Sequence, residues 1–589
     1  MYIIYKRKFM SNITKEERAQ RVKKFFPDAY ADSNDLRNLI EQTVEPIYDM
    51  IPKNRRLDRA WIGNNPHLEI DYNTVRNITM PLKGQSERNV VEDVIKIFNG
   101  LQYNGSCMIA PNVYPQPNRV TFFSSIFSNV FCPNIIDGEY GWNVQRAELE
   151  AGSMLADMFG WEPDKAGCIF TYGGEAGWQY GVKYALTRVL KNSRNTGIRE
   201  DAKVICSQEG QFSKLCAVDW NGLGLDNLIQ IPTNDANEMD LNELEKVLKD
   251  LHDKEIPVAA VVCTEGTTDA NAFDDIVGVK NLLDRYPNPS KYGKTLIYAD
   301  SVIGFAWTAY TKYDFEANPL GFSRKTLADI KIVADKAAKI KYADCASADF
   351  HKSGYCPYVA TSFCYKNREE FEGLMTRAPK PKDGAKQETY AYLQDRSPYN
   401  PMEYSLESSR SGQGSICSWA TLKYFGAEGF QLINGVQLER HEYLRGKIAE
   451  SVNMVCVNPK DVGGVTLFRV YGKGVYNPAS EYEKEFNDPK YLPTLKEHNE
   501  FIRKVGDKLW DWYKSGKIVE GRYTPYLSYS TGFRTTAYNE DKKNPDAVIF
   551  ALKIYPLNIN VNEEDMDWML RIVDLAAKEV INEEEKAAK

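Results

Sequence analysis

Long apolar runs are missing from this chain of 589 residues. No stretch approaches the roughly 18 apolar residues that a membrane-spanning helix needs. The first residues are basic and carry only a short apolar patch, without the apolar core of about 7 to 15 residues and the cleavage site of a signal peptide. We therefore expect a cytoplasmic protein with no membrane partner.

The chain also has few histidines, no closely spaced cysteine pair and no excess of positive charge. The five histidines show no metal-ligand spacing, and the eleven cysteines are scattered without a CxxC pair, which is typical of buried thiols in a reducing compartment. The net charge is −7, whereas proteins that bind nucleic acid usually present a basic face. We expect neither a metal site nor a nucleic-acid partner.

The length and the apolar pattern predict several domains of the α/β class. Apolar runs of strand length, such as Pro257–Cys263, Thr295–Asp300 and Val359–Tyr365, alternate with helical patterns. Strands that are apolar on both faces favour a mostly parallel sheet covered by helices on both sides. We predict a largely helical N-terminal segment over residues 1–120, a large domain over 121–430 and a small α+β domain over 431–589.

Three short motifs carry the chemistry. Lys352 follows His351 after a short apolar stretch, Asp300 ends the strand-like T-L-I-Y-A-D, and Gly173-Gly174 stands between a strand and a helix. A lysine on a rigid element can form an imine, and an aspartate at a strand end can keep a pyridine nitrogen protonated. Adjacent glycines at a helix start allow backbone N–H groups to approach a phosphate. Together these motifs predict a site for pyridoxal 5'-phosphate (PLP).

The motifs resemble those of the group II PLP-dependent amino-acid decarboxylases over roughly residues 100–575. Asp349-Phe-His-Lys352 matches the family's D-x-H-K, and Thr264–Thr268 adds T-E-G-T-T. The run from His351 to Tyr358 is similar to H-K-x-G-Y-x-P-Y of the bacterial tyrosine decarboxylases, as is Tyr404–Gly412 to their Y-x-L-E-x-S-x-x-G. The resemblance implies the aspartate-aminotransferase-like fold (fold type I), PLP as cofactor, and a homodimer with shared active sites that the N-terminal segment helps to form.

The resemblance also implies a role for individual residues. Lys352 holds PLP as a Schiff base, and Asp300 pairs with the pyridine nitrogen. The remaining cofactor contacts are a phosphate loop, a histidine near the phosphate, a threonine near the ring edge, and serines that reach the partner subunit's phosphate: Gly173, Gly174, Glu175, His351, Thr267, and Ser408 or Ser409. The polar stretch from Arg377 to Tyr404 resembles the family's mobile catalytic loop, in which Tyr392 is the first and Tyr399 the second candidate to protonate Cα.

Three positions depart from the family pattern. Gln211 stands where most of the family stacks a histidine on the PLP ring. The bacterial glutamate decarboxylases also have a glutamine at this position. Val302 replaces a small residue on the other ring face. Glu175 replaces a small hydroxyl residue in the phosphate loop, and we expect its carboxylate to turn away from the phosphate.

The resemblance implies decarboxylation of an L-amino acid to an amine and CO2. An aromatic substrate such as tyrosine is favoured. Gln211, with Arg410 or Arg534 as partners for a carboxylate, leaves an acidic substrate such as glutamate as an alternative. An aldehyde-forming PLP reaction is a second alternative, because a single loop residue can change the outcome. A non-catalytic homologue would require the loss of Lys352 or Asp300, and both are present.

Overall fold

The computed structural model describes residues 14–25, 27, 34–53, 59–64, 66, 69–111, 115–376, 397–539, 544–555 and 557–587. It divides into two compact units, Met1–Tyr103 and Asn104–Lys589. Over the described residues, no helix is both long and apolar enough to cross a bilayer.

The first unit contains helices in its described residues. Its helices are α1 (Lys15–Lys23), α2 (Asp35–Met50), α3 (Tyr72–Arg76) and α4 (Glu87–Phe98). Helix α1 begins with a capping box, in which the Thr14 side chain accepts from the Glu17 N–H and the Glu17 carboxylate accepts from the Thr14 N–H.

The second unit holds the remaining elements. Its strands are β1 (Gly167–Thr171), β2 (Lys203–Ser207), β3 (Leu228–Ile231), β4 (Val258–Thr264), β5 (Leu296–Asp300), β6 (Cys345–Asp349), β7 (Thr361–Tyr365), β8 (Met454–Cys456), β9 (Thr466–Val470), β10 (Ile518–Val519), β11 (Arg522–Tyr523), β12 (Ser528–Thr535) and β13 (Val548–Ile554). Its α-helices are α5 (Arg119–Phe131), α6 (Gly138–Gly141), α7 (Gln145–Met158), α8 (Gly174–Val189), α9 (Ser193–Thr196), α10 (Ser213–Trp220), α11 (Leu241–Asp253), α12 (Ile276–Arg285), α13 (Arg324–Ala337), α14 (Arg368–Met375), α15 (Gln413–Glu450), α16 (Pro478–Asn487), α17 (Leu492–Lys514) and α18 (Glu563–Ala587). Short 3-10 helices cover Trp142–Val144, Leu225–Asn227, Gly304–Lys312, Ala338–Tyr342, Pro401–Glu403 and Pro489–Tyr491.

The central sheet has seven strands in the order β1-β7-β6-β5-β4-β2-β3. Strand β7 is antiparallel to both of its neighbours, and the other strands run parallel to one another. Strands β4 and β5 are buried at every position, because helices cover both faces of the sheet. The mostly parallel α/β sheet predicted from the sequence is confirmed.

A smaller antiparallel sheet, β12-β13-β9-β8, lies in the C-terminal part. Strands β9 and β13 lie at the centre of this sheet. The apolar residues of helix α18, including Met566, Met569 and Ile572, are buried. Helix α15 is interrupted at Gly426, whose φ of 58° is readily adopted by glycine.

Candidate active site

A cavity of about 380 Å³ opens where the parallel strands of the central sheet end. Ligands in open α/β sheets bind at the carboxyl ends of the strands. The cavity is lined by Tyr172, Gly173, Gly174, Glu175, Trp178, Gln211, Ser213, Asp300, Val302, Asp349, His351, Lys352, Tyr358 and Val359. The structure therefore brings together eight residues that the sequence predicts for one site: Gly173, Gly174, Glu175, Gln211, Asp300, Val302, His351 and Lys352.

Lys352 lies three residues beyond the end of β6. Its Nζ is 2.9 Å from Oδ2 of Asp349, and this carboxylate is 1% exposed. The other oxygen of Asp349 accepts a hydrogen bond of 2.7 Å from the Thr361 hydroxyl on β7. The lysine amine is therefore held at the edge of a rigid strand pair.

His351 packs beside this lysine. Its ring is buried, and its Nε2 lies 3.4 Å from Oδ2 of Asp349. Burial lowers the pKa of His351 below its ordinary value, against the opposing effect of the Asp349 carboxylate. The ring of Tyr358 packs on the His351 ring at a centroid distance of 4.2 Å.

Asp300 ends β5 and is 2% exposed. Its Oδ2 accepts a hydrogen bond of 2.7 Å from the indole Nε1 of Trp178. Its Oδ1 is buried and has no hydrogen-bond partner among the described residues. Burial raises the pKa of Asp300 to about 6, whereas the Trp178 hydrogen bond and the Lys352 ammonium act to lower it.

The N-terminus of α8 forms one wall of the cavity. Gly173, at φ 145°, adopts a backbone conformation that favours glycine and lets the chain turn from β1 into the helix. A Cβ on Gly174 would lie 3.0 Å from Oδ2 of Asp349, so the helix start approaches the lysine's carboxylate partner closely. The first N–H groups of a helix lack helical partners and bind anions.

Gln211 lines the cavity from the segment that precedes α10. Its Oε1 accepts hydrogen bonds from the Ser213 backbone N–H, at 2.7 Å, and from the Ser213 hydroxyl. Val302 lines the cavity as well and is buried. Stacking of Gln211 on a cofactor ring remains a prediction.

Four predicted residues do not line the cavity of the single chain. The Thr267 hydroxyl is engaged by the Ala272 N–H at 3.0 Å, and Ser409 accepts a hydrogen bond from the Asn134 side chain. Ser408 is also not among the residues that line the cavity. The Tyr399 hydroxyl donates to Glu148 at 3.0 Å, whereas Tyr392 lies outside the described residues.

The two arginines considered as partners for an acidic substrate are engaged elsewhere. Arg410 forms a buried ion pair with Glu148, in which the side chains are 2% and 0% exposed. Arg534 lies 3.7 Å from Asp235 and packs over the Phe486 ring. Among the described residues, no arginine lines the cavity. The role suggested for Arg410 is therefore wrong in this chain, because its charge is already neutralised in the core.

Sequence reasoning missed Trp178, Ser213 and Tyr172 as parts of the cavity. Trp178 lies four residues after Gly174 in the predicted helix. Residues at this spacing share one helix face, so the helix start could have indicated that Trp178 lies on the same side as Gly174. Its contact with Asp300 joins residues that are 122 positions apart, and no local pattern predicts such a pair.

The cavity residues fit PLP. The Oδ1 atom of Asp300 is a buried acceptor without a hydrogen-bond partner among the described residues. Burying such an acceptor costs folding free energy unless it receives a hydrogen bond. A protonated pyridine nitrogen would supply that hydrogen bond. Lys352 and the start of α8 offer groups for the aldehyde and the phosphate. Among the described residues, no cluster of three or more His, Cys, Asp or Glu side chains could hold a metal ion.

The chain is similar to known proteins in sequence and in fold. No family model matches the chain. It is 24% identical over 395 residues to an L-tyrosine decarboxylase of Enterococcus faecium, an alignment that covers 59% of this chain and 62% of the relative. It is 25% identical over 344 residues to an L-2,4-diaminobutyrate decarboxylase of Acinetobacter baumannii, covering 56% and 60%. The chain thus spans about three fifths of the length of these relatives.

The fold is similar to that of the crystal structure of Oryza sativa TDC with PLP and tryptamine. The TM-score is 0.71 at 13% identity, and the match covers 94% of this chain and 100% of the other. The chain is therefore similar in sequence to curated amino-acid decarboxylases and shares the fold type I architecture of this structure.

Proposed function

We propose that this protein is a PLP-dependent decarboxylase that converts an L-amino acid to its amine and CO2. The observation that carries the proposal is that Lys352 and an Asp300 oxygen without a hydrogen-bond partner line the same cavity, at the end of a parallel sheet. When bound, PLP supplies an electron-poor ring that accepts the electron pair left at Cα as CO2 departs.

The chain's own residues would hold this cofactor at three points. Lys352, kept in place by Asp349, would bond it covalently. Asp300 would accept the pyridine N–H through Oδ1 and so keep the ring cationic. The backbone N–H groups at Gly174 and Glu175 would bind the phosphate, because a helix N-terminus favours negative charge.

The cavity favours an aromatic side chain on the substrate, with tyrosine as our first candidate. Tyr172, Trp178 and Tyr358 line it, and aromatic rings bind one another through offset or edge contacts. The engagement of Arg410 and Arg534 elsewhere counts against an acidic substrate. Glutamate and an aldehyde-forming reaction remain the alternatives to be tested.

A second copy of the chain would complete the site. Several apolar side chains in this part of the chain are exposed. They are Phe212, which follows the cavity residue Gln211, Trp220 at the end of α10 and Leu406 after the 3-10 helix Pro401–Glu403, at 80%, 76% and 64% exposed. Large apolar patches usually mark an interface. In a homodimer, the partner's Ser408 or Ser409 would then reach the phosphate, and light scattering at low micromolar concentration tests the dimer.

The experiment begins with borohydride reduction of purified enzyme, followed by peptide mass spectrometry. A PLP adduct at Lys352 supports the proposal, and Lys352→Ala is the control that should carry none. A screen of the twenty amino acids for CO2, amine and aldehyde then identifies substrate and product. An enzyme that takes up PLP at Lys352 but releases CO2 from none of them would overturn the assigned reaction.

A further inference from the structure

The Asp300 carboxylate accepts a side-chain hydrogen bond from Trp178. Its indole Nε1 donates to Oδ2 at 2.7 Å, while Oδ1 has no partner among those residues. Trp178 itself is 1% exposed and lines the cavity. The two oxygens of one carboxylate are therefore distinguished, with one fixed by the protein and the other left to a ligand.

The position of the indole is fixed by close packing of α8 on the sheet. A Cβ on Gly177 would lie 2.1 Å from the Ser347 hydroxyl, and one on Gly181 would lie 2.9 Å from the Tyr298 ring. These glycines allow the helix to lie directly against β5 and β6. The Trp178 ring then meets the Tyr298 ring edge-on, at 5.8 Å and 83°, so its N–H points at the end of β5.

We propose that Trp178 is a positioning residue, which holds one oxygen of Asp300 so that the other can receive the N–H of a protonated pyridine ring. This inference rests on the proposed PLP function. The hydrogen bond favours the ionised carboxylate over the protonated one. Without it, the proton shared between ring and carboxylate moves toward the carboxylate, and the ring becomes a poorer electron acceptor.

The test uses holoenzyme loaded with PLP that carries ¹⁵N in its pyridine ring. The ¹⁵N chemical shift reports directly whether this nitrogen is protonated, independently of turnover. We expect a protonated nitrogen in the wild type at neutral pH and a shift toward the unprotonated value in Trp178→Phe. The kcat of Trp178→Phe should fall roughly 10- to 100-fold with little change in KM, the range for losing one hydrogen bond to a charged group.

Two further variants separate the hydrogen bond from packing. Trp161→Phe is the matched control, since Trp161 is also buried, packs edge-on against Phe159 at 5.2 Å and has an indole N–H with no partner among the described residues. It should keep the wild-type shift. Trp178→His retains a ring N–H and should recover part of the ring protonation, and it carries the test if Trp178→Phe does not fold.

The outcomes distinguish the two proposals. Wild-type enzyme without PLP at Lys352 would overturn the proposed function and this inference with it. Normal PLP attachment with an unchanged ¹⁵N shift in Trp178→Phe would overturn the inference alone. Equal shifts in Trp178→Phe and Trp178→His would assign Trp178 a packing role and also reject it.

Discussion

The buried ion pair between Arg410 and Glu148 should control the stability of the segment that leads into the phosphate loop. Arg410 donates to Glu148 through both terminal nitrogens, and also to the carbonyl oxygens of Ile135 and Phe170, at 3.0 and 3.1 Å. Glu148 also accepts the Phe170 N–H at 2.8 Å. Both polar groups of Phe170 in β1 are thus held by this pair, three residues before Gly173.

Replacing Arg410 by methionine leaves the Glu148 carboxylate unpaired in the core. Breaking a buried pair from one side costs about 3–5 kcal/mol of unfolding free energy. The double variant Glu148→Gln/Arg410→Met removes the stranded charge, and we expect it to recover about half of that loss. Because β1 leads into the α8 turn, PLP affinity should fall in parallel with stability in the single variant.

The assay is equilibrium urea unfolding of PLP-free protein, together with PLP titration. The surface pair of Arg503 with Glu500, whose side chains are 48% and 43% exposed, provides the control. Arg503→Met should cost less than about 1 kcal/mol. The reasoning fails if Arg410→Met is no more destabilising than Arg503→Met, or if the double variant is no more stable than Arg410→Met.

Three other predictions concern Asp300, the packing of α8 and the two candidate tyrosines. The folded pKa of Asp300, about 6, lies above the ordinary value near 3.9, so the folded state keeps a proton that the unfolded state releases between about pH 4 and 6. The free energy of unfolding of PLP-free protein should therefore fall as pH rises through this window. In urea unfolding, Asp300→Asn should show a shallower fall. Gly177→Ala should lower the unfolding free energy by about 1–3 kcal/mol and weaken PLP binding, because the new Cβ would lie 2.1 Å from the Ser347 hydroxyl. The control Gly446→Ala in α15 should do neither, because no atom lies within 4 Å of its Cβ position. Equal effects of the two variants in thermal unfolding would contradict the close packing of α8. Tyr399→Phe should lose the hydrogen bond to Glu148, which lowers the free energy of unfolding by about 1 kcal/mol, and should keep amine production. Tyr392→Phe should slow Cα protonation and raise the yield of aldehyde. A rise in aldehyde from Tyr399→Phe alone would instead identify Tyr399 as the proton donor.

Local sequence was sufficient to predict the elements and the residues at their ends. Apolar runs predicted β4, β5 and β7 because burial on both faces of a strand requires an unbroken apolar run. Asp300 could be placed at a strand end and Gly173 at a helix start for the same reason, since each follows directly from the pattern beside it. The family motif around Lys352 then indicated the chemistry.

Tertiary structure alone decided which side chains meet. The antiparallel direction of β7 depends on its neighbours in the sheet, and an apolar run carries no information about them. The partner of Arg410 lies 262 residues away and that of Asp300 lies 122 residues away. These pairs form because α7 and α8 pack against the sheet, which gives Arg410 a structural role and turns Trp178 toward Asp300. Local periodicity reports which face of an element is buried, whereas the hydrogen-bond partner of a buried polar group is determined by the packing of distant elements.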